Sequence, residues 1–276
     1  MSETGIKKFM RDIPLPFCPG CGDVTIMSTF LRAIQELGYD SLSKFVFCSG
    51  IGCAAWIPSP HFIADTIHTT HGRSIPVATG VKLIRPDLNV VVFGGDGDLT
   101  GIGLSHLIHA ARRNVDLTVI MVNNMIYGMT GGQVAPTTPL KAKTTTTPYG
   151  NYEKPIDATR LVVAAGASYA ARWTTAHTEQ LREAFKKGLE TKGFAFIEVV
   201  SQCSTAFGRR VGLKTIADML GWFKENSVPL ETAKGMREEE LEGKIVVGEF
   251  VHREVPTFTE NVYAVIKEAK KSAKKS

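Results

Sequence analysis

The 276 residues carry 32 basic and 27 acidic side chains, with 43% hydrophobic and 21% charged residues. That balance is ordinary for a globular protein with a sizeable core, and it excludes a disordered or fibrous chain. The net charge of +5 is concentrated at the end, where Lys267, Lys270, Lys271, Lys274 and Lys275 face only Glu268. The excess is therefore a tail, not a nucleic-acid-binding face.

The opening MSETGIKKFMRDIPLP lacks a signal-peptide apolar core, and no apolar run approaches the roughly 18 residues of a spanning helix. The expectation is a cytoplasmic protein with no membrane segment, in a compartment where thiols stay reduced. An odd count of 5 cysteines argues against a disulfide framework and makes them ligand candidates. There is no internal repeat, and no linker is long enough to separate one domain from another.

In chain order, Cys18-Pro-Gly-Cys21 comes first: two thiols brought together by a turn. Alone, this CxxC is open among zinc, iron–sulfur and redox-dithiol uses. A helical pattern follows over Val24 to Leu37. Short apolar runs rich in β-branched residues then alternate with further helical stretches. The predicted strands are Lys44 to Cys48, Val90 to Phe93, Leu117 to Val122 and Phe194 to Val200; the predicted helices are Gly72 to Ile84, Thr100 to Arg113 and Ala176 to Glu190. Continuous apolar strands with intervening helices predict a doubly wound, mostly parallel α/β sheet, covered on both faces. Sites in such sheets form at the carboxyl ends of strands, which here read CSGIGC, GGDGD, NNMIYGMTGGQ and SQC.

VVVFGGDGDLTGIG is a buried strand, a glycine-rich turn and a helix start, which together offer backbone N–H groups to a phosphate. It departs from the dinucleotide fingerprint, because Thr100 stands where the third glycine belongs and Asp96 and Asp98 lie inside the loop. Two carboxylates repel a diphosphate unless a cation stands between them, which suggests magnesium. The next strand ends in Asn123-Asn124 at the same sheet edge. A Gly-Asp turn followed by a chance asparagine is the bland alternative. GDG, one helix–strand unit and then asparagine resembles the diphosphate–magnesium motif of thiamine-diphosphate enzymes. That resemblance implies Asp96, Asn124 and the backbone carbonyl of Ile126 as magnesium ligands, with Gly95, Gly97 and Asp98 along the diphosphate.

Cys53 in SGIGC and Cys203 in SQC fall at this same edge, and with Cys18 and Cys21 they could hold a 4Fe–4S cluster or a structural zinc ion. Cys48, inside KFVFCSG, reads as a core residue. The ordered set CPGCGD, SGIGC, HTTHGR, GGDGDLTGIG, RRNVD, YGMTGGQ and the late cysteine is similar to the β subunit of 2-oxoacid:ferredoxin oxidoreductases. The resemblance implies a 4Fe–4S cluster on Cys18, Cys21, Cys53 and Cys203. It also implies thiamine-diphosphate contacts from Ile51, Gly52, Cys53, Ala54, His71, Met129 and Thr130. No side chain is assigned as a catalytic residue, with His71 the candidate; His68 reads equally as a satisfied polar residue.

The implied reaction is coenzyme-A-dependent oxidative decarboxylation of a 2-oxoacid, with electrons passed to ferredoxin. CAAWIP and HTTHGR are more like the 2-oxoglutarate enzymes than the pyruvate ones. Trp56 replaces a basic residue that some relatives carry, so Arg73, Lys82 or a partner chain is expected to supply a charge for the substrate. Only one coenzyme-binding module fits in the chain, and the family's other module lies on an α subunit. The expected partner is therefore that α subunit, in a dimer of heterodimers or with additional small subunits. The rival readings are pyruvate or branched-chain 2-oxoacid specificity, a non-redox thiamine-diphosphate enzyme, and a zinc-stapled scaffold or nucleic-acid-binding module. The expected layout is an N-terminal segment with the CxxC and first helix (1–44), a thiamine-diphosphate/magnesium α/β domain (45–203), and a C-terminal appendage with the basic tail (204–276). Between Ala135 and Ile156 a proline-broken segment reads as either a functional loop or a surface excursion.

Overall fold

Strand β1 (Phe45–Ser49) is buried along its length, and its side chains alternate between faces: Phe45 and Phe47 enter one apolar layer, Val46 and Cys48 the other. The same alternation recurs in β3 (Asn89–Gly95), where Val91 and Phe93 oppose Val90 and Val92. A sheet apolar on both faces must be covered on both. In the computed structural model, which describes residues 5–274, helices α1 (Gly22–Glu36) and α5 (Thr178–Glu190) cover one face. Helices α2 (Ser74–Ile84), α3 (Leu104–Arg113) and α4 (Ala158–Ala165) cover the other. Phe30 of α1 packs edge-on against Phe47, Phe93 and Phe185, with ring centroids 6.1, 5.2 and 5.4 Å away.

The remaining strands are β2 (Asp65–His68), β4 (Leu117–Asn123), β5 (Tyr169–Thr174), β6 (Phe194–Val200), β7 (Ser227–Pro229) and β8 (Ile245–His252). Their order is β2-β1-β3-β4-β6-β5-β8-β7, parallel throughout except where β8 runs antiparallel to β5. The chain leaves β1 toward β2 on one side and resumes at β3 on the other, so a topological switch point opens between the carboxyl ends of β1 and β3.

Three differences from the sequence reading have physical causes. Strand β2 gives no signal in the sequence because DTIH carries no apolar run; it is an edge strand, largely exposed. The predicted helix from Thr100 to Arg113 is two elements, a π-helical turn (Gly97–Ile102) and α3, divided at Gly103. The stretch after Cys203 extends the sheet through β8 and does not stand off it as an appendage. Short α6 (Arg209–Val211), α7 (Ile216–Asn226) and α8 (Leu230–Ala233) follow Cys203, and Phe207, Met219 and Phe223 pack there against Val200 and Val247. The C-terminal α9 (Phe258–Ala273) is held at its start by Asn114, whose Nδ2 donates to Val255 O at 3.0 Å while its Oδ1 accepts from Phe194 N at 2.7 Å. No helix among the described residues is long and apolar enough to cross a membrane.

Candidate active site

The switch-point crevice holds a cavity of about 300 Å³. Its lining includes every residue expected to touch coenzyme or magnesium: Ile51, Gly52, Cys53 and Ala54 after β1, His71 after β2, Gly95, Asp96, Gly97 and Asp98 after β3, and Asn124, Ile126, Met129 and Thr130 after β4. Residues far apart in the chain thus meet at one place because four parallel strands end there.

Asp96 is 2% exposed. Burial pushes its carboxyl up to about 7, against the hydrogen bonds from the Thr137 hydroxyl and the Gly97 backbone that favour the charged form. A carboxylate this poorly compensated fits a bound cation. The Asn124 amide oxygen and the Ile126 peptide line the same cavity, and Asn124 Oδ1 accepts from Ile126 N at 3.2 Å. One carboxylate and neutral oxygens, beside a helix start that can face phosphate, suit magnesium, which keeps part of its shell for phosphate oxygens and water.

Asp98, expected along the diphosphate, lines the cavity and also ties its loops together. Its Oδ1 accepts from Gly72 N at 2.7 Å and from Ile51 N at 3.2 Å, and it lies 2.8 Å from His71 Nδ1 in a contact not aligned as a hydrogen bond. Asp98 is thus a bracket joining the loops after β1 and β2, with one oxygen left unpartnered. Gly50 has to be glycine, since a Cβ there would collide with this carboxylate.

Tyr127 was missed by sequence reasoning although it lines the cavity. Its hydroxyl donates to Gly97 O at 3.0 Å, its ring meets His71 edge-on at 6.0 Å, and a Cβ on Gly97 would strike that ring. The aromatic next to glycine in IYGMTGGQ was the available signal. Also unforeseen is the buried network behind Asn123. Glu198 accepts from Asn123 Nδ2 at 2.8 Å, Thr159 Oγ1 at 2.5 Å and Arg172 Nε at 2.8 Å, and Arg172 also pairs with Asp157. A lone Glu in FAFIEVV and a lone Arg in YAARWT were its traces.

Of the four cysteines, Cys18 is exposed, and Cys21, Cys53 and Cys203 are partly buried. Thr205 Oγ1 lies 3.7 Å from Cys18 Sγ and 3.8 Å from Cys203 Sγ. Burial first, then the charges of Asp23, Cys203 and Cys18, push the Cys53 thiol up to about 12; burial and Asp23 push Cys21 up further. The four cysteines therefore lie close enough to feel one another electrostatically. A 4Fe–4S cubane would take one thiolate at each of its four irons. Cys48 is fully buried in the core on β1.

Of the other candidates for substrate charge, Lys82 is committed elsewhere: buried, it pairs with Asp116 at 2.7 Å and donates to Leu88 O at 2.8 Å. Arg73 donates to Ile102 O at 3.3 Å. Trp56 packs edge-on against His68 at 6.2 Å, and His68 lies 3.4 Å from Ser49 Oγ.

Comparison with known proteins agrees with this geometry. The family described as thiamine pyrophosphate enzyme, C-terminal TPP binding domain, matches residues 50–199. The chain is 54% identical over 265 residues to 2-oxoglutarate synthase subunit KorB of Methanocaldococcus jannaschii, covering 95% of this chain and 97% of that one. It belongs to the β subunits of the 2-oxoacid:ferredoxin oxidoreductases. The β subunit of the Saccharolobus solfataricus 2-oxoacid:ferredoxin oxidoreductase is 46% identical over 192 residues, 68% of this chain and 62% of that one. The solved 2-oxoglutarate:ferredoxin oxidoreductase of Magnetococcus marinus, with 2-oxoglutarate, coenzyme A and succinyl-CoA bound, superposes with a TM-score of 0.84 at 33% identity, covering 98% of this chain and 92% of that one. The sheet and its crevice are therefore the family's thiamine-diphosphate-binding fold.

Proposed function

We propose that this β subunit is the coenzyme- and cluster-bearing half of a cytoplasmic enzyme that oxidatively decarboxylates 2-oxoglutarate to its acyl-CoA, with ferredoxin as electron acceptor. The observation that carries the reading is Cys53, which lines the coenzyme cavity and also belongs to the cysteine group. Thiamine diphosphate would supply the nucleophilic carbon and electron sink for decarboxylation, and the 4Fe–4S cluster would accept the electrons singly.

The chain's own residues position and neutralise. Asp96, Asn124 and the Ile126 carbonyl would hold magnesium, whose charge would offset the diphosphate. Gly95 and the turn beginning at Gly97 present backbone to the phosphates. Ile51 to Ala54 on one side and Met129 and Thr130 on the other enclose the coenzyme. Asp98 fixes the two loops that carry Ile51 and His71, and His71, which lines the cavity, is the candidate for proton transfer.

A thiamine enzyme also needs a glutamate on the aminopyrimidine, which an α subunit docked over this crevice would supply. The Methanocaldococcus relative is named as a subunit of 2-oxoglutarate synthase, which supports both a partner chain and the same substrate here. The test is anaerobic viologen reduction by the enzyme purified with its partner chains. Coenzyme-A-dependent turnover with kcat/KM highest for 2-oxoglutarate over pyruvate and branched-chain 2-oxoacids, and none by the isolated chain, is the expected result. A colourless preparation inert to every 2-oxoacid would overturn it.

A further inference from the structure

Pro136-Thr137-Thr138-Pro139 lies beyond the coenzyme-lining loop, at the start of the proline-broken segment. Both threonines are buried, at 5% and 0% exposure. Thr137 Oγ1 donates to Asp96 Oδ2. Thr138 Oγ1 donates to Met125 O at 2.7 Å and accepts from Ala135 N at 2.9 Å. Two adjacent hydroxyls thus reach two separate places in the metal corner: the Asp96 carboxylate just after β3, and the peptide between Asn124 and Ile126.

That second contact falls on an unusual residue. Met125 has φ 63, the left-handed region that side chains other than glycine seldom adopt. Asn123 Oδ1 accepts from its N–H at 3.1 Å, and Thr138 donates to its carbonyl, so the turn is gripped from both sides. The tetrapeptide is itself backed: Asn151 Nδ2 donates to Thr138 O at 2.8 Å, and Ile156 N donates to Pro136 O at 2.8 Å. Its prolines fix φ at both ends.

We infer that Thr137 and Thr138 form a clasp that positions the magnesium site: Thr137 sets the rotation of the Asp96 carboxylate, and Thr138 holds the left-handed turn that aims Asn124 and Ile126. The inference rests on the assignment of those three residues to magnesium. A free carboxylate can swing about its last bond, so a hydrogen bond to one oxygen presets the direction in which the other meets a cation. Partners of metal ligands of this kind are typically worth roughly 10–100-fold in metal affinity.

The test uses the enzyme with its partner chains, freed of magnesium, with manganese(II) as the EPR probe in the presence of thiamine diphosphate. Thr137→Val and Thr138→Val should each bind manganese roughly 10–100-fold more weakly. Thr137→Ser, which keeps the hydroxyl, should bind within about threefold of wild type, and iron content and subunit composition should be unchanged in all three. Asp96→Ala is the control. If it keeps full manganese affinity, the metal assignment itself fails. If it loses the metal while Thr137→Val binds like wild type, or if Thr137→Ser is as weak as Thr137→Val, the clasp is wrong. Loss of cluster or partner chains from Thr137→Val would likewise overturn it, because the role would then be structural.

Discussion

The two corners of the crevice are built in opposite ways. At the magnesium corner hydrogen bonds within the protein hold the key side chains, Thr137 on Asp96, Ile126 N on Asn124, Glu198 behind Asn123 and Asp98 across the loops after β1 and β2, and leave Asp98 Oδ2 and His71 Nδ1 unpartnered. At the cysteine corner Thr205 Oγ1 lies 3.7 Å from Cys18 Sγ and 3.8 Å from Cys203 Sγ, and burial disfavours the thiolates of Cys21 and Cys53. The protein preforms the first corner. A cluster bound by the second corner would add stability to the chain.

Removing the carboxylate from the preformed corner should have the largest effect. Asp96→Ala should weaken coenzyme binding by more than ~100-fold, beyond the range expected for an outer partner. Equilibrium dialysis of thiamine diphosphate reads this, and the cluster spectrum should survive. At the other corner, Cys18→Ala, Cys21→Ala, Cys53→Ala and Cys203→Ala should each lower the iron content and sharply reduce thermal stability. Cys48→Ala should keep its iron and cost about 1 kcal/mol in the core. If Cys48→Ala lost iron and Cys203→Ala kept it, the four ligands would be misassigned.

Behind the magnesium corner, Glu198→Gln breaks a buried ion pair from one side and leaves Arg172 with Asp157 alone. Chemical denaturation should show a loss of roughly 3 kcal/mol. Asp96 gives a pH dependence of known sign. Its carboxyl is raised by burial to about 7 from 3.8. The folded form therefore holds a proton that the unfolded chain has released, and the coenzyme-free protein should lose stability as pH rises from about 4 to 7. Asp96→Asn should flatten that slope. The smallest effect is expected from Tyr127→Phe, which deletes one hydrogen bond to Gly97 O; about 1 kcal/mol, or some fivefold in coenzyme affinity, is the expected loss.

Much of the magnesium corner was readable because its residues are local: GDG, Asn124 and the SGIGC loop each sit at the end of an apolar strand, and parallel topology brings strand ends together. The cysteines were readable as a set through resemblance, and Cys48 through its apolar neighbours. What escaped were contacts between residues distant in sequence. Nothing in PTTP says that Thr137 will reach Asp96, and nothing in YAARWT says that Arg172 will meet Glu198 inside the sheet. The bracing contacts of Asp98 escaped too, since nothing in GGDGD says that its carboxylate will accept from the backbone N–H groups of Ile51 and Gly72. Edge strand β2 escaped because exposure removes the apolar pattern by which strands are recognised.

The central claim is that a coenzyme at Asp96 and a cluster at Cys53 share one crevice and exchange electrons. Anaerobic addition of 2-oxoglutarate and coenzyme A to the partner-bound enzyme should bleach the cluster's broad visible band. Asp96→Ala enzyme with full iron content should keep that band when 2-oxoglutarate is added and lose it only to dithionite. Equal bleaching by 2-oxoglutarate in Asp96→Ala and wild type would contradict the account.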